Sequence, residues 1–366
     1  MFKFVDVFFK NWDAPLIFNL ISCKKISDFS VIQQNSQNLL NPKLDKKSVG
    51  EFKFGWFDWF CLWYPPGWLI LFNRHWQHYH EDPDGWNWLE YILFLIPLGF
   101  YLALLIRWLR LGFRFPRGRV VEFNPSYQIA FREEILQPII KYYYGGGLEK
   151  IENLPQQGPI IVAMNHAGMS FPWDILTLGY LLSKQREWVV YPLAGVDFFE
   201  HPWMAWWLPS GWSQVLGGVK AKYDDFKAAI QQQKILLYAP EGLRGPGKGW
   251  FKRYQLQKFD ISFVQLSQKY QAPILPVICI GNEKLHPYTL NINGLRKLFN
   301  LPFLPASPLI PWFALFPSMG IWAGRSQLRY FIQPLVKVDG CKSRGDFYNK
   351  AQNLREEMQR EINRVL

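Results

Sequence analysis

The sequence Val162-Ala-Met-Asn-His-Ala-Gly-Met-Ser-Phe-Pro-Trp-Asp174 joins the end of an apolar run to the beginning of a helical pattern. The apolar residues 159–164 predict a buried strand, which leaves Asn165 and His166 at its carboxyl end, where α/β folds place their chemistry. Asp174 falls in the first turn of the next helix, within reach of His166. Such a pair predicts a general base whose tautomer is fixed by the carboxylate. On this stretch alone, a structural histidine and an aspartate that serves the helix dipole explain the pattern equally well.

Two further apolar runs end in residues that can carry chemistry or tight turns. They are Lys234-Ile-Leu-Leu-Tyr-Ala-Pro-Glu-Gly-Leu-Arg244 and Ala272-Pro-Ile-Leu-Pro-Val-Ile-Cys-Ile-Gly281. Strand patterns alternate with helical ones, such as residues 224–233 before the second run. This alternation predicts an α/β fold with a mostly parallel central sheet flanked by helices.

Taken together, Asn165-His166, Glu241-Gly242 with Arg244, and Pro276-Val277 resemble the ordered motifs of the lysophospholipid and glycerol acyltransferase family. The resemblance to 1-acylglycerol-phosphate acyltransferase-like proteins covers roughly residues 145–340. It is nearest to the diacylglycerol acyltransferase-like and phytyl-ester-synthase-like branch. It implies an enzyme that transfers a fatty acyl chain from acyl-CoA or an acyl carrier protein to a lipid hydroxyl. The implied catalytic residues are His166 and Asp174, and the implied substrate-binding residues are Asn165, Glu241, Gly242, Arg244 and Lys222.

Two departures from the family pattern bear on the acceptor and on activity. Seven residues separate His166 from Asp174, a longer interval than is usual in the family, so the loop must bulge for the pair to meet. In the second motif, a lysine, Lys222, stands where the family has an arginine, and lysine meets a phosphate without a bidentate fork. We therefore expect a neutral acceptor, such as diacylglycerol or a long-chain alcohol. The alternatives are a lysophospholipid or 1-acylglycerol-3-phosphate acyltransferase and a catalytically inactive membrane lipid-binding protein.

Composition favours a protein that works at a membrane. Aromatic residues make up 18% of the chain and include 18 Trp, which suits a bilayer interface. The formal charge of +12 fits an anionic surface, and no basic cluster accompanies a nucleic-acid-reading motif, so we expect no nucleic-acid partner. We expect the chain at a membrane, with its catalytic domain on the cytoplasmic face.

The pattern along the chain predicts five regions. Residues 1–53 form an N-terminal segment and polar linker, and residues 54–112 form a membrane-associated region with a transmembrane helix at about 88–109. A connector and helix, 113–144, precede the acyltransferase domain at 145–340, and an amphipathic helix, 341–366, closes the chain. Arginines that follow the apolar segment favour a cytoplasmic flank.

Other motifs carry weaker indications. Gly242-Leu-Arg-Gly-Pro-Gly-Lys248 begins like a phosphate-binding loop, but Gly249 stands where a serine or threonine must bind magnesium, which disfavours nucleotide hydrolysis. We instead expect Arg244, Lys248, Lys252 and Arg253 on a basic rim that could hold the donor's phosphates, although Lys252 and Arg253 fit a solvated face at least as well. His75, His78 and His80 could bind a transition metal but fit solvated loop residues better. We expect no metal and no cofactor, with the thioester donor as a co-substrate.

Overall fold

Strand β2 is buried along its whole length and lies inside a six-stranded sheet. The structure is a computed structural model that describes residues 49–114, 116, 122–167, 171–193, 199–200, 204–291, 305–308, 310–321 and 324–366. The predicted segment 1–53 lies almost wholly outside these residues. The strands, in chain order, are β1 Gly146–Glu149, β2 Ile160–Met164, β3 Val190–Pro192, β4 Ile235–Tyr238, β5 Ile274–Ile280, β6 Leu290–Asn291, β7 Pro305–Ala306 and β8 Leu328–Ile332.

Helices cover both ends of the described chain and the connections between strands. They are α1 Trp56–Trp63, α2 Trp68–Tyr79, α3 Trp88–Phe94, α4 Gly99–Arg110, α5 Pro125–Phe131, α6 Trp173–Arg186, α7 Trp212–Val215, α8 Tyr223–Gln231, α9 Ser262–Tyr270, α10 Ile310–Leu315 and α11 Arg344–Val365. Helix α5 continues through the π-helical turns Arg132–Leu136 and Ile139–Tyr144.

The sheet has the spatial order β1-β8-β5-β2-β4-β3. Strands β5, β2, β4 and β3 are parallel, so the prediction of a mostly parallel α/β sheet is confirmed. Strand β8 runs antiparallel to β5, and β1 pairs in parallel with β8. The carboxyl ends of β2, β4 and β5 therefore meet at one edge, which brings the residues after each strand together.

The prediction of one transmembrane helix at 88–109 is wrong. The segment forms two helices, α3 and α4, separated by Pro97 and by Leu98, which has a φ of +62°. A side chain at Gly99 would lie 2.1 Å from the Leu93 carbonyl oxygen, so glycine permits a tight reversal there. Arg110, at the end of α4, bonds Glu90 near the start of α3, which makes the pair an antiparallel hairpin. None of the helices in the described ranges is both long enough and apolar enough to cross a membrane.

The helices before residue 112 share a core with the sheet. The indole of Trp68 on α2 is fully buried and lies edge-on to Trp173 on α6, with ring centroids 5.0 Å apart. Asn73 on α2 donates a hydrogen bond of 2.9 Å to the Trp207 carbonyl. Aromatic packing thus fixes α2 against the helix that carries Asp174.

Helix α11 covers the other face of the sheet. Ser343 caps it, with its side chain accepting from the Asp346 N–H. Its buried side chains, as the apolar pattern predicts, recur on one face: Ala351, Leu354, Met358 and Ile362. Packing against β5 and α9 accounts for this stripe.

Candidate active site

His166 and Asp174 meet at the carboxyl end of β2. The His166 Nδ1 atom lies 2.9 Å from Asp174 Oδ2, and the same oxygen accepts the Ala167 N–H at 3.0 Å. The Asp174 side chain is completely buried, whereas 13% of the His166 side chain is exposed. The intervening loop therefore brings the pair into contact despite its extra length, although residues 168–170 lie outside the described ranges.

Each member of the pair shifts the pKa of the other. Burial alone would lower the pKa of His166, but the charge and hydrogen bond of Asp174, with the charge of Glu241, raise it above its ordinary value. Burial alone would raise the pKa of Asp174, but His166 and the Ile175 and Ala167 N–H groups hold it below its ordinary value. With Nδ1–H donating to Asp174, the neutral ring carries its lone pair on Nε2. In this arrangement Nε2 is able to accept a proton, which is the chemistry required of a general base.

Glu241 braces His166 from the end of the neighbouring strand β4. Its Oε1 atom accepts the His166 N–H at 3.0 Å, and its Oε2 atom accepts the Gln257 N–H at 2.8 Å. Both carboxylate oxygens are thus engaged with the main chain, and the residue is buried. The structure gives Glu241 a role in shaping the site, and direct contact with substrate stays a prediction.

Asn165 links β2 to β5. Its Nδ2 group donates to the Cys279 carbonyl at 2.9 Å, and its Oδ1 atom accepts the Cys279 N–H at 2.7 Å. The side chain is buried. Asn165 therefore holds the two strand ends in register beside His166. Its contact with substrate stays a prediction.

The turn after Glu241 folds directly over His166. Gly242 has a φ of +54°, and a side chain there would meet open space. At Gly245, in contrast, a Cβ atom would lie 2.6 Å from the His166 Cβ, so only glycine permits this approach. Arg244, between them, is exposed, with its Nε 3.5 Å from the Glu241 carbonyl oxygen.

The structure contradicts the predicted position of one basic residue, Lys248. Lys222 is exposed and precedes the first residue of α8, whose first turn carries Asp224 and Asp225. The side chain of Lys248, which the sequence places on a basic rim, is only 1% exposed, because the short 3₁₀ turn Pro246–Lys248 folds it inward toward His166. The basic-rim prediction is therefore wrong for Lys248.

The three histidines of α2 and its end have separate partners. His75 is buried, with Nε2 2.9 Å from Glu134 Oε2, and burial lowers its pKa. His78 Nε2 lies 2.6 Å from the Gly50 carbonyl, and His80 stacks on Trp76. Within the described part of the chain, no three His, Cys, Asp or Glu side chains are grouped so as to hold a metal ion.

Sequence comparison places a family model over this site. The model described as Acyltransferase matches residues 148–280, a range that contains His166, Asp174, Glu241 and Lys248. The chain is also similar to an uncharacterized protein of Mycobacterium tuberculosis, with 27% identity over 252 residues, 67% of this chain and 68% of that protein. An uncharacterized protein of Mycobacterium leprae is 28% identical over 194 residues, 52% of this chain and 51% of the relative.

Among solved structures, the chain is similar to the 1-acyl-sn-glycerophosphate (LPA) acyltransferase PlsC from Thermotoga maritima. The match has 15% sequence identity and a TM-score of 0.40, and it covers 80% of this chain and 96% of that one.

Proposed function

We propose that this chain, which belongs to the acyltransferase family through residues 148–280 and is an acyl-transferring enzyme, acylates the hydroxyl group of a lipid. The observation that carries the proposal is the His166–Asp174 pair at 2.9 Å, inside the matched domain and at the carboxyl edge of the sheet. The acyl donor is a thioester, acyl-CoA or an acyl carrier protein. Neither a metal nor another cofactor takes part in the proposed chemistry.

The proposed reaction needs one proton transfer in each direction. Nε2 of His166 takes the proton of the lipid hydroxyl, and the oxygen attacks the thioester carbonyl. As the tetrahedral intermediate collapses, the carbon–sulfur bond breaks and the imidazolium returns its proton to the leaving thiolate. Asp174 stabilises the imidazolium between these two steps.

The charges near the predicted acceptor motif support a neutral acceptor. Lys220 forms an ion pair of 3.1 Å with Glu200, and Asp224 and Asp225 lie two and three residues after Lys222, in the first turn of α8. A phosphate monoester requires fixed cations, and these acidic neighbours weaken the local positive field. Diacylglycerol and long-chain alcohols are uncharged, so a weaker positive field does not reduce their binding.

A second candidate acceptor, lysophosphatidate or another lysophospholipid, has its own support. Arg244 is exposed in the turn that touches His166 through Gly245. A guanidinium group there could bind a phosphate with two parallel hydrogen bonds. This reading makes the enzyme a 1-acylglycerol-3-phosphate acyltransferase.

Side-by-side assays with one acyl donor test the acceptor. We expect kcat/KM for diacylglycerol or a long-chain alcohol to exceed that for lysophosphatidate by about tenfold, equivalent to about 1.4 kcal/mol. Lys222→Ala and Arg244→Ala should then change turnover of the neutral acceptor little. A higher kcat/KM for lysophosphatidate, lowered by either substitution, would instead establish the second candidate.

We also propose that the outer face of the N-terminal helices binds to one leaflet of a membrane. Trp56 on α1 is 83% exposed, and large apolar side chains on α3 and α4 are about half exposed. Helices α1 and α3 are adjacent, since the rings of Phe57 and Trp88 lie 5.3 Å apart. We name this set the apolar helix face: Trp56, Trp59, Phe60, Trp63, Trp88, Leu89, Ile92, Leu102, Leu105 and Leu109. An apolar surface rich in tryptophan suits insertion to interfacial depth.

Vesicle binding tests this membrane proposal. The variant Leu102→Glu/Leu105→Glu/Leu109→Glu places three carboxylates on one side of α4 and should weaken sedimentation with sucrose-loaded phosphatidylglycerol vesicles by at least about tenfold. Binding of the unchanged protein should survive high salt, because apolar burial does not depend on ionic strength. The matched control is Leu335→Glu/Tyr348→Glu/Leu366→Glu, which adds the same charge at exposed apolar residues elsewhere. Equal binding by the two variants would contradict the proposal.

A further inference from the structure

The side chain of Lys248 is enclosed behind His166, the proposed base. Its side chain is 1% exposed, and its Nζ donates a hydrogen bond of 3.1 Å to the main-chain carbonyl of His166. The same Nζ lies 3.6 Å from Oε2 of Glu241, whose side chain is completely buried. Burying a charge is unfavourable unless a partner and hydrogen bonds compensate it, so this placement needs a reason.

The two buried charges act on the two sides of one residue. Glu241 accepts the N–H of His166 at 3.0 Å, and Lys248 donates to the C=O of His166 at 3.1 Å. Asp174 then accepts the N–H of the next residue, Ala167, together with the imidazole Nδ1–H. The main chain of His166 is therefore fixed on both sides, and its ring is fixed by Asp174.

We propose that Lys248 is a positioning residue: its buried ammonium group holds the His166 carbonyl and compensates the Glu241 carboxylate that holds the His166 N–H. This inference rests on the proposed role of His166 as the base. Positioning within a fraction of an ångström matters for such a base, since small displacements of a reacting group lower rates steeply. The ion pair keeps both holding groups in place without leaving a charge unpaired.

The same arrangement sets the charge around the imidazole. Three charged groups act on His166: Asp174 and Glu241 favour its protonated form, and Lys248 opposes it. Glu283, in the 3₁₀ turn that follows β5, is also near Lys248 and Asp174, and burial raises the pKa of its carboxyl to about 7. Removing the Lys248 charge should therefore raise the pKa of His166 and leave less neutral base at a given pH.

Binding of the donor's phosphates is the competing role for this lysine. A phosphate ligand needs an accessible ammonium group, whereas the Lys248 side chain is enclosed and directed at His166 and Glu241. The positioning role uses both of these contacts. The phosphate role would affect KM for the donor, and the positioning role affects kcat and the pH profile.

Lys248→Met tests the inference, with Lys258→Met as the matched control because Lys258 is exposed and on the same connection. The first measurement is the pKa of His166, from NMR titration of histidine-labelled protein assigned with His166→Ala. We expect the pKa of His166 to be higher in Lys248→Met and unchanged in Lys258→Met, because only Lys248 opposes the protonated imidazole. The second measurement is turnover: kcat should fall at least about tenfold, with KM for the donor unchanged and the acidic limb of the pH profile moved upward.

The outcomes separate this inference from the proposed function. An unchanged His166 pKa in Lys248→Met, with kcat equal to that of the control or with KM alone raised, overturns the positioning role. A shifted pKa in a protein that shows no acyl transfer with any acceptor overturns the proposed function, while the contact of Lys248 with His166 and its effect on the His166 pKa stand. If Lys248→Met does not fold, Glu241→Gln and Glu241→Gln/Lys248→Met are compared. The pKa of His166 must then be higher in the double variant, and equal values overturn the inference.

Discussion

His166→Ala is expected to lower acyl transfer by at least about 10³-fold, close to the limit of detection. The substitution removes Nε2, the atom that the contact with Asp174 leaves free to act as a base. The N–H and C=O of residue 166 still bond Glu241 and Lys248 in the variant, because both contacts use the main chain. The measurement is release of free thiol from the acyl donor in the presence of each acceptor.

The cost to folding should be small by comparison. Asp174 loses its imidazole partner but still accepts the Ala167 and Ile175 N–H groups, so we expect a loss of about 1–3 kcal/mol in the free energy of unfolding. His78→Ala, at an exposed histidine, is the control and should retain full turnover. Substantial acyl transfer by folded His166→Ala would reject the mechanism.

The general-base mechanism also predicts how the activity of the unsubstituted enzyme depends on pH. A general base must be neutral, and the neighbours of His166 raise its pKa above the ordinary value of about 6.5. Activity should therefore rise with pH through an apparent pKa above that value. His166→Ala should lose this limb from any residual activity.

The sequence predicted the sheet and the principal pair because both depend on local patterns. Short apolar runs bounded by Pro and Gly indicate buried strands, and the residues that follow them must lie at one edge of a parallel sheet. That reasoning placed His166, Asp174 and Glu241 near one edge of the sheet, and the resemblance to the acyltransferase family implied their roles. It did not predict that Glu241 would bond the His166 N–H, since a contact between two strand ends depends on register.

Two errors have a common physical cause. The apolar segment 91–106 has the composition of a membrane-spanning helix, but Pro97 and Gly99 allow a reversal that lets α3 and α4 pack against each other. Lysine side chains are usually exposed, but the glycine-rich turn before Lys248 bends toward β2. In both cases the residue types suggested the wrong environment, because a backbone turn of a few residues determined where the side chains lie. The Gly-Pro-Gly run before Lys248 was the available signal.

Asp174→Asn is expected to lower kcat by on the order of 10²-fold or more while the protein stays folded. Oδ2 of Asp174 accepts the His166 Nδ1–H and the Ala167 N–H, and Oδ1 accepts the Ile175 N–H. An asparagine amide has only one acceptor oxygen for these three donors. If its NH₂ group faces His166, it favours the tautomer with the proton on Nε2, which cannot act as the base. If its oxygen faces His166, the tautomer survives but the negative charge that stabilises the imidazolium is lost.

The pH profile distinguishes this explanation from simple loss of structure. Asp174 raises the pKa of His166, so its neutral replacement should lower that pKa and move the acidic limb of the residual activity to lower pH. The ratio of variant to unchanged activity should therefore be largest at low pH. Asp58→Asn is the matched control, because Asp58 is also buried and charge-paired, with Arg74, but lies in α1. It should lower the free energy of unfolding and leave the acidic limb in place. If Asp174→Asn loses activity equally at every pH, the carboxylate does not act through the imidazole, and the general-base assignment fails with it.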